Sequence, residues 1–131
     1  MDDDARMLKA LEKVLSQEGA SVTCAELAMD AFRILAKRPG EFSLIITDLR
    51  MPFVRGERVV HVIHEILPQL PIIVLTAFGG PEVEEECRRQ GAVAFLEKPL
   101  DTPRLLEVVG KIFTTKGVSQ NGNNNLPDWQ K

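Results

Sequence analysis

Two short runs, "SLIITD" at 43–48 and "PIIVLT" at 71–76, are apolar on consecutive residues. A strand with one face in water alternates apolar and polar side chains. A strand that is apolar throughout must be covered on both faces, as in a parallel sheet sandwiched by helices. Parallel strands cannot be joined by tight turns and need crossover segments, usually helical. The chain supplies them. Helical periodicity runs through Met7, Leu8, Leu11, Val14 and Leu15 and stops at Gly19. A weaker second helix carries Ala28, Ala31, Phe32 and Leu35 and ends at Pro39–Gly40. A third carries Val59, Val60, Ile63, Ile66 and Leu67 and ends before Pro68. A fourth, after Pro81, is mostly charged, with Val83 and Cys87 as its main apolar residues. A fifth carries Leu105, Val109 and Ile112, widened by Leu106 and Phe113.

Two further strand-like runs, "SVTCA" at 21–25 and "AVAFLE" at 92–97, complete the alternation. Strand–helix alternation at this spacing predicts an α/β fold with a doubly wound parallel sheet. The tally is uneven: five helices and four strands, with no strand before the first helix. "MDDDA" reads as the end of a strand whose body lies upstream or is supplied by another segment or chain. From residue 114 onward the periodicity ends in "TTKGVSQNGNNNLPDWQK", which reads as a flexible tail or linker. The expected organisation is one domain over 1–113 and a tail over 114–131.

Composition narrows the function classes. With 16 basic and 19 acidic residues the net charge is −3, so bulk electrostatics give no reason to expect direct nucleic-acid or anionic-membrane contact. The stretch "LPIIVLTAF" is far short of a membrane span. Two isolated cysteines, Cys24 and Cys87, make neither a disulfide framework nor a zinc site. These features fit a cytoplasmic protein.

In open α/β sheets, ligands bind beyond the carboxyl ends of the strands. "SLIITD" ends in Asp48, "PIIVLT" in Thr76, and "AVAFLE" is followed by Lys98–Pro99. A strand before the first helix would end in Asp2 and Asp3. Clustered carboxylates repel one another unless a cation joins them, and an all-oxygen donor set with room for water suits magnesium. Magnesium can hold a phosphoryl group in line with an attacking carboxylate. The predicted product is an acyl phosphate on Asp48.

"DDDARMLKALEKVL", "LIITDLRMPFVRGE", "PIIVLTAFGG" and "GAVAFLEKPLD" occur in order and together resemble the receiver domain of two-component response regulators. The resemblance spans residues 2 to about 113. It implies a flavodoxin-like receiver fold with strand order 2-1-3-4-5, here with its first strand missing. It implies that Asp48 is the phosphoacceptor, and that Asp3 and Asp48 are metal ligands, with Asp2 in the acidic pocket and the Arg50 backbone carbonyl as a further ligand. Asp4 matches a third acid outside the pocket. Thr76 and Ala77 match the switch segment, Lys98 the ion-pairing lysine and Phe95 the rotating aromatic. The Lys98–Pro99 bond matches one that is cis. The implied cofactor is Mg2+ (or Mn2+). The implied partners are a histidine kinase or phosphotransfer protein and an unknown output partner or domain; a phosphorylation-dependent dimer is also allowed. Two alternatives stand beside this. One is a truncated or phosphorylation-independent interaction module. The other is an aspartyl-phosphate phosphatase, which wants an acid two residues after its nucleophile, where this chain has Arg50.

Overall fold

The computed structural model describes residues 1–52 and 54–115. The elements run α1 (Ala5–Gln17), α2 (Ala28–Lys37), β1 (Ile45–Thr47), β2 (Arg50–Met51), β3 (Val54–Arg55), α3 (Arg58–Ile66), β4 (Ile72–Thr76), α4 (Pro81–Gln90), β5 (Ala94–Glu97) and α5 (Thr102–Thr115). All five helices lie where the apolar periodicity places them. Gly19 follows α1 with φ 95°, and Pro81 opens α4, so the stop and start signals act as read. At Gly91, beyond α4, φ is 123° and a Cβ would strike the His64 ring, so glycine is required there twice over.

Among the described residues the main sheet holds three parallel strands in the order β1-β4-β5, the third, fourth and fifth strands of the expected order. Ile45 pairs with Ile72 and Thr47 with Val74; Val74 pairs with Phe95 and Thr76 with Glu97. The period of two splits the strand residues between two cores. Ile45, Ile72 and Val74 face Leu35 of α2, Val59, Val60 and Ile63 of α3, and Cys87 of α4. Ile46, Ile73, Leu75 and Ala94 face Leu11 of α1 and Leu105, Val108, Val109 and Phe113 of α5. This two-sided burial is why the runs are apolar on consecutive residues.

Two expectations need correction. Residues 21–25 form no strand, because the place beside them where a ladder partner would lie holds only the first two residues of the chain. Met1 sits opposite Thr47: its N-terminal ammonium donates to the Ile46 carbonyl at 2.7 Å, and its own carbonyl accepts from the Asp48 N–H at 2.9 Å. On the other side, the Asp2 N–H donates to the Ala25 carbonyl at 3.1 Å. Met1 and Asp2 thus lie between residue 25 and the end of β1, in the position the first strand of the order would occupy. The second correction is the antiparallel hairpin β2–β3, where Arg50 pairs with Arg55 and Met51 with Val54. Two-residue strands carry no readable period. Helix α5 runs to Thr115, two residues past the expected domain boundary; the tail expected beyond it lies, from residue 116, outside the described residues.

Candidate functional site

The carboxyl ends of β1 and β4, the residue after β5 and the start of the chain meet at one edge of the sheet. Asp48 follows β1 and is buried, with its side chain 5% exposed. Its Oδ1 accepts two backbone N–H bonds, from Leu49 at 2.6 Å and Arg50 at 3.2 Å. The tight turn out of the strand therefore fixes the plane of the carboxylate. Its Oδ2 accepts from Lys98 Nζ at 2.8 Å, and the same ammonium donates to Asp2 Oδ2 at 2.7 Å. Lys98 reaches the site because the Lys98 N–H is held by the Thr76 carbonyl at 2.9 Å, extending the β4–β5 ladder by one residue. The Lys98–Pro99 peptide is cis.

The three consecutive aspartates divide their work. Asp2 is 2% exposed and points into the pocket. Asp3 is exposed at the rim, yet one oxygen from each of Asp2, Asp3 and Asp48 falls within 4.8 Å of the others. Asp4 turns away and caps α1, accepting from the Arg6 N–H at 2.9 Å, so ordinary helix-start chemistry accounts for that residue. Three carboxylates this close form a hard oxygen donor set of the kind that suits Mg2+ or Mn2+.

Burial pushes the Asp48 carboxyl up, but the bonds from Lys98, the Thr76 hydroxyl and the Arg50 N–H outweigh it and hold the group below its ordinary value. Burial pulls the Lys98 ammonium down, and Asp2 and Asp48 more than reverse this, leaving it raised. A carboxylate depressed on folding contributes stability above its unfolded pKa, about 3.9, and loses it as pH falls through the folded value. A raised lysine contributes below about 10.4 and loses it as pH climbs through its folded value. The metal-free protein should therefore weaken at both extremes. Urea midpoints against pH should show a shallower acid limb in Asp48→Asn; an identical limb would mean that the ion pair does not couple to folding.

Thr76 closes β4, fully buried, with its Oγ1 accepting from the Phe78 N–H at 3.2 Å. Ala77 follows it and is exposed. Phe95 lies on β5 opposite Val74, half-buried against the α2–α3–α4 core. Arg50 stands two residues past Asp48 in β2, and its guanidinium stacks 3.7 Å above the centroid of the half-exposed Phe78 ring. That stack joins the loops after β1 and β4 across the mouth of the pocket, at a strength of about 0.5–1 kcal/mol for an exposed pair. Sequence reasoning missed it, along with the Leu49 N–H. A backbone donor has no sequence signature, and an Arg–Phe pair 28 positions apart has one only after the loops are placed.

The family model described as the response regulator receiver domain matches residues 1–110. The transcriptional regulatory protein GlrR of Escherichia coli is 35% identical over 109 residues, covering 83% of this chain and 24% of that protein. The response regulator protein FleR of Pseudomonas aeruginosa is 32% identical over 111 residues, covering 85% of this chain and 23% of that one. The chain thus spans about a quarter of the length of these curated relatives. Among solved structures, a response regulator receiver domain protein from Clostridium thermocellum superposes with a TM-score of 0.81 at 25% identity, covering 89% of this chain and 93% of the other. A chain of the CheX–CheY–BeF3–Mg2+ complex from Borrelia burgdorferi does so with 0.82 at 25% identity, covering 86% and 84%.

Proposed function

Because this chain belongs to the response regulator receiver domain family, we propose that Asp48 is its phosphoacceptor and that Asp2, Asp3, Asp48, Lys98 and Thr76 carry the chemistry. The observation that carries the reading is the single Lys98 ammonium held between two buried carboxylates, with a third within 4.8 Å. So much negative charge at a strand edge needs a cation, and Lys98 bonds Asp2 and Asp48 of the three.

Asp2, Asp3 and Asp48 would hold the divalent ion, joined by the Arg50 backbone carbonyl. When bound, Mg2+ or Mn2+ supplies neutralisation of the carboxylates and of the incoming phosphoryl oxygens. The two backbone N–H bonds from Leu49 and Arg50 hold Asp48 ready, at no further ordering cost. A carboxylate oxygen of Asp48 forms the bond to phosphorus as the bond to the donor nitrogen or oxygen breaks, and the donor leaves with that electron pair. Lys98 exchanges its bond with Asp48 for one with a phosphoryl oxygen. Thr76 gives its hydroxyl hydrogen to another. The added charge, about −1.5 to −2, pulls both inward, and Phe95 follows Thr76 from the neighbouring strand. The surface of α4, β5 and α5 shifts between two states.

The phosphoryl source in this reading is a histidine kinase or phosphotransfer protein, and the output is a protein contact or a partner domain. Among the described residues no helix is long and apolar enough to cross a membrane. The chain is a signalling module and not a phosphatase: the position where a leaving-group acid would stand is Arg50, whose guanidinium is stacked on Phe78.

Acetyl phosphate with magnesium should add one acid-stable, base-labile phosphoryl group, read by mass spectrometry, and Asp48→Asn should abolish it. An adduct of equal stoichiometry in Asp48→Asn would sink the assignment. Thr76→Ala leaves the carboxylates and Lys98 in place, so labelling should survive at a reduced rate. The chemical-shift response of α4 and α5 to phosphorylation should then be lost. A response equal to that of the parent chain would reduce Thr76 to strand-end packing.

A further inference from the structure

Among the described residues the buried polar and charged residues are Asp2, Thr47, Asp48 and Thr76. All but Thr47 have a part in the proposed reaction, yet Thr47 is fully buried and directly precedes the phosphoacceptor. It pairs with Val74 in the β1–β4 ladder, and the period of two puts its side chain on the side of Ile45, toward the α2–α3–α4 core. Valine suits such a site equally well by shape and strand preference, and it buries no hydroxyl. What threonine adds is one bond: Thr47 Oγ1 donates to the Asp48 carbonyl at 2.8 Å. Among the described residues no backbone N–H reaches that carbonyl. The Asp48 carbonyl and the Leu49 N–H belong to one planar peptide unit. Thr47 holds its carbonyl end, and Asp48 Oδ1 holds its N–H end at 2.6 Å. The Arg50 N–H, one peptide further on, meets the same oxygen at 3.2 Å. The Thr47 hydroxyl is thus linked to the carboxylate through a single rigid plane.

We propose that Thr47 is a positioning residue for phosphoryl transfer: its hydroxyl fixes the Asp48–Leu49 peptide plane, and that plane fixes the Asp48 carboxylate. The inference rests on the reading of Asp48 as the phosphoacceptor. Without the hydroxyl the Asp48 carbonyl loses its donor, and the peptide gains by turning that oxygen toward another donor or toward water. The same turn carries the Leu49 N–H away from Oδ1. The carboxylate then swings about its Cβ–Cγ bond, a broad torsion with no sharp preference of its own. The bond between Oδ2 and Lys98 loses its fixed direction as well. In the transfer step an Asp48 oxygen bonds to phosphorus as the donor's bond to phosphorus breaks, and the donor keeps that electron pair. The attacking oxygen must stand in line with the departing group, so a loosened carboxylate transfers more slowly.

Two substitutions separate positioning from packing. Thr47→Val keeps the volume and removes the hydroxyl. Thr47→Ser keeps the hydroxyl and removes a buried methyl, which opens a small cavity. Packing alone therefore makes Thr47→Ser the more impaired, and positioning makes it Thr47→Val. The full chain is labelled by acetyl phosphate with excess magnesium and followed by mass spectrometry. The labelling rate should fall about tenfold or more in Thr47→Val and stay within about threefold of the parent in Thr47→Ser. A second readout needs no phosphoryl donor. The Leu49 amide proton, drawn downfield by its short bond to a carboxylate, should move upfield in Thr47→Val and hold its place in Thr47→Ser. A parent-like rate in Thr47→Val, or a rate lower in Thr47→Ser than in Thr47→Val, would overturn the proposal. Should Thr47→Val not fold, Thr47→Ala replaces it, since alanine and serine differ only by the hydroxyl. A parent chain that takes no label would overturn the Asp48 reading and with it the role in transfer. A labelled parent with an unmoved Leu49 amide in Thr47→Val would overturn the role of Thr47 alone.

Discussion

Replacing Lys98 by methionine should lower the stability of the metal-free protein by about 3 kcal/mol, a large share of the roughly 5–15 kcal/mol of a typical domain. The side chains of Asp2 and Asp48 are 2% and 5% exposed, and Lys98 is the cation that bonds both. Removing one member of a buried ion pair leaves the other uncompensated, and here two carboxylates would be left. Three adjacent carboxylate oxygens also repel one another more strongly once the ammonium is gone. Magnesium should restore most of the loss, because Lys98→Met leaves the oxygen donor set intact and the ion binds only the folded chain. The test is urea unfolding of parent and variant in chelator and in excess magnesium. The parent should gain modestly from magnesium and Lys98→Met much more. Equal midpoints in chelator would show that the pocket is wet enough for water to do the work of the lysine.

The parts of this design that are legible in the sequence are those written by side-chain periodicity and strand ends. Five apolar stripes at helical spacing place all five helices, since each must cover one face of a sheet. Ile45–Thr47 and Ile72–Thr76 are readable because burial on both faces leaves no polar residue before the closing threonine of either strand. Asp48, Thr76 and Lys98 then follow from the rule that an open parallel sheet works at its carboxyl edge. Illegible is everything carried by the backbone. Which of Asp2, Asp3 and Asp4 enters the pocket is fixed by three main-chain bonds, one from Asp2 to Ala25 and two between Met1 and the end of β1. The charge pattern by itself is compatible with all three, and only the family resemblance separates Asp4 from the other two. Residues 21–25 have the composition of a strand, but a strand exists only through its ladder, and the neighbouring slot is filled for two residues only.

Filling that slot covalently should produce the largest gain in stability. Substituting Lys-Ile-Leu-Val-Val for Met1 places its final valine opposite Thr47, in the parallel rung that Met1 now makes. The preceding valine falls opposite Ile46 and turns to the α1–α5 core, the leucine opposite Ile45 turns to the α2–α3–α4 core, and the isoleucine opposite Leu44 returns to the first. Each apolar side chain buried is worth about 1.5–3 kcal/mol, so the extended chain should be more stable by on the order of 5 kcal/mol. A second contribution comes from the terminal amine. Burial now drives the Met1 ammonium below its ordinary pKa, and the graft turns that nitrogen into a peptide N–H that can make the same bond without a charge. Residues 21–25 should gain a ladder partner, with slowed amide exchange from Val22 to Ala25. Asp2 and Asp3 would be carried on a strand anchored on both sides, so magnesium should bind more tightly. Paired thermal unfolding with and without magnesium reads both effects. A graft that leaves the midpoint and the exchange of residues 22–25 unchanged would place the graft outside the sheet and refute the register assigned to Met1.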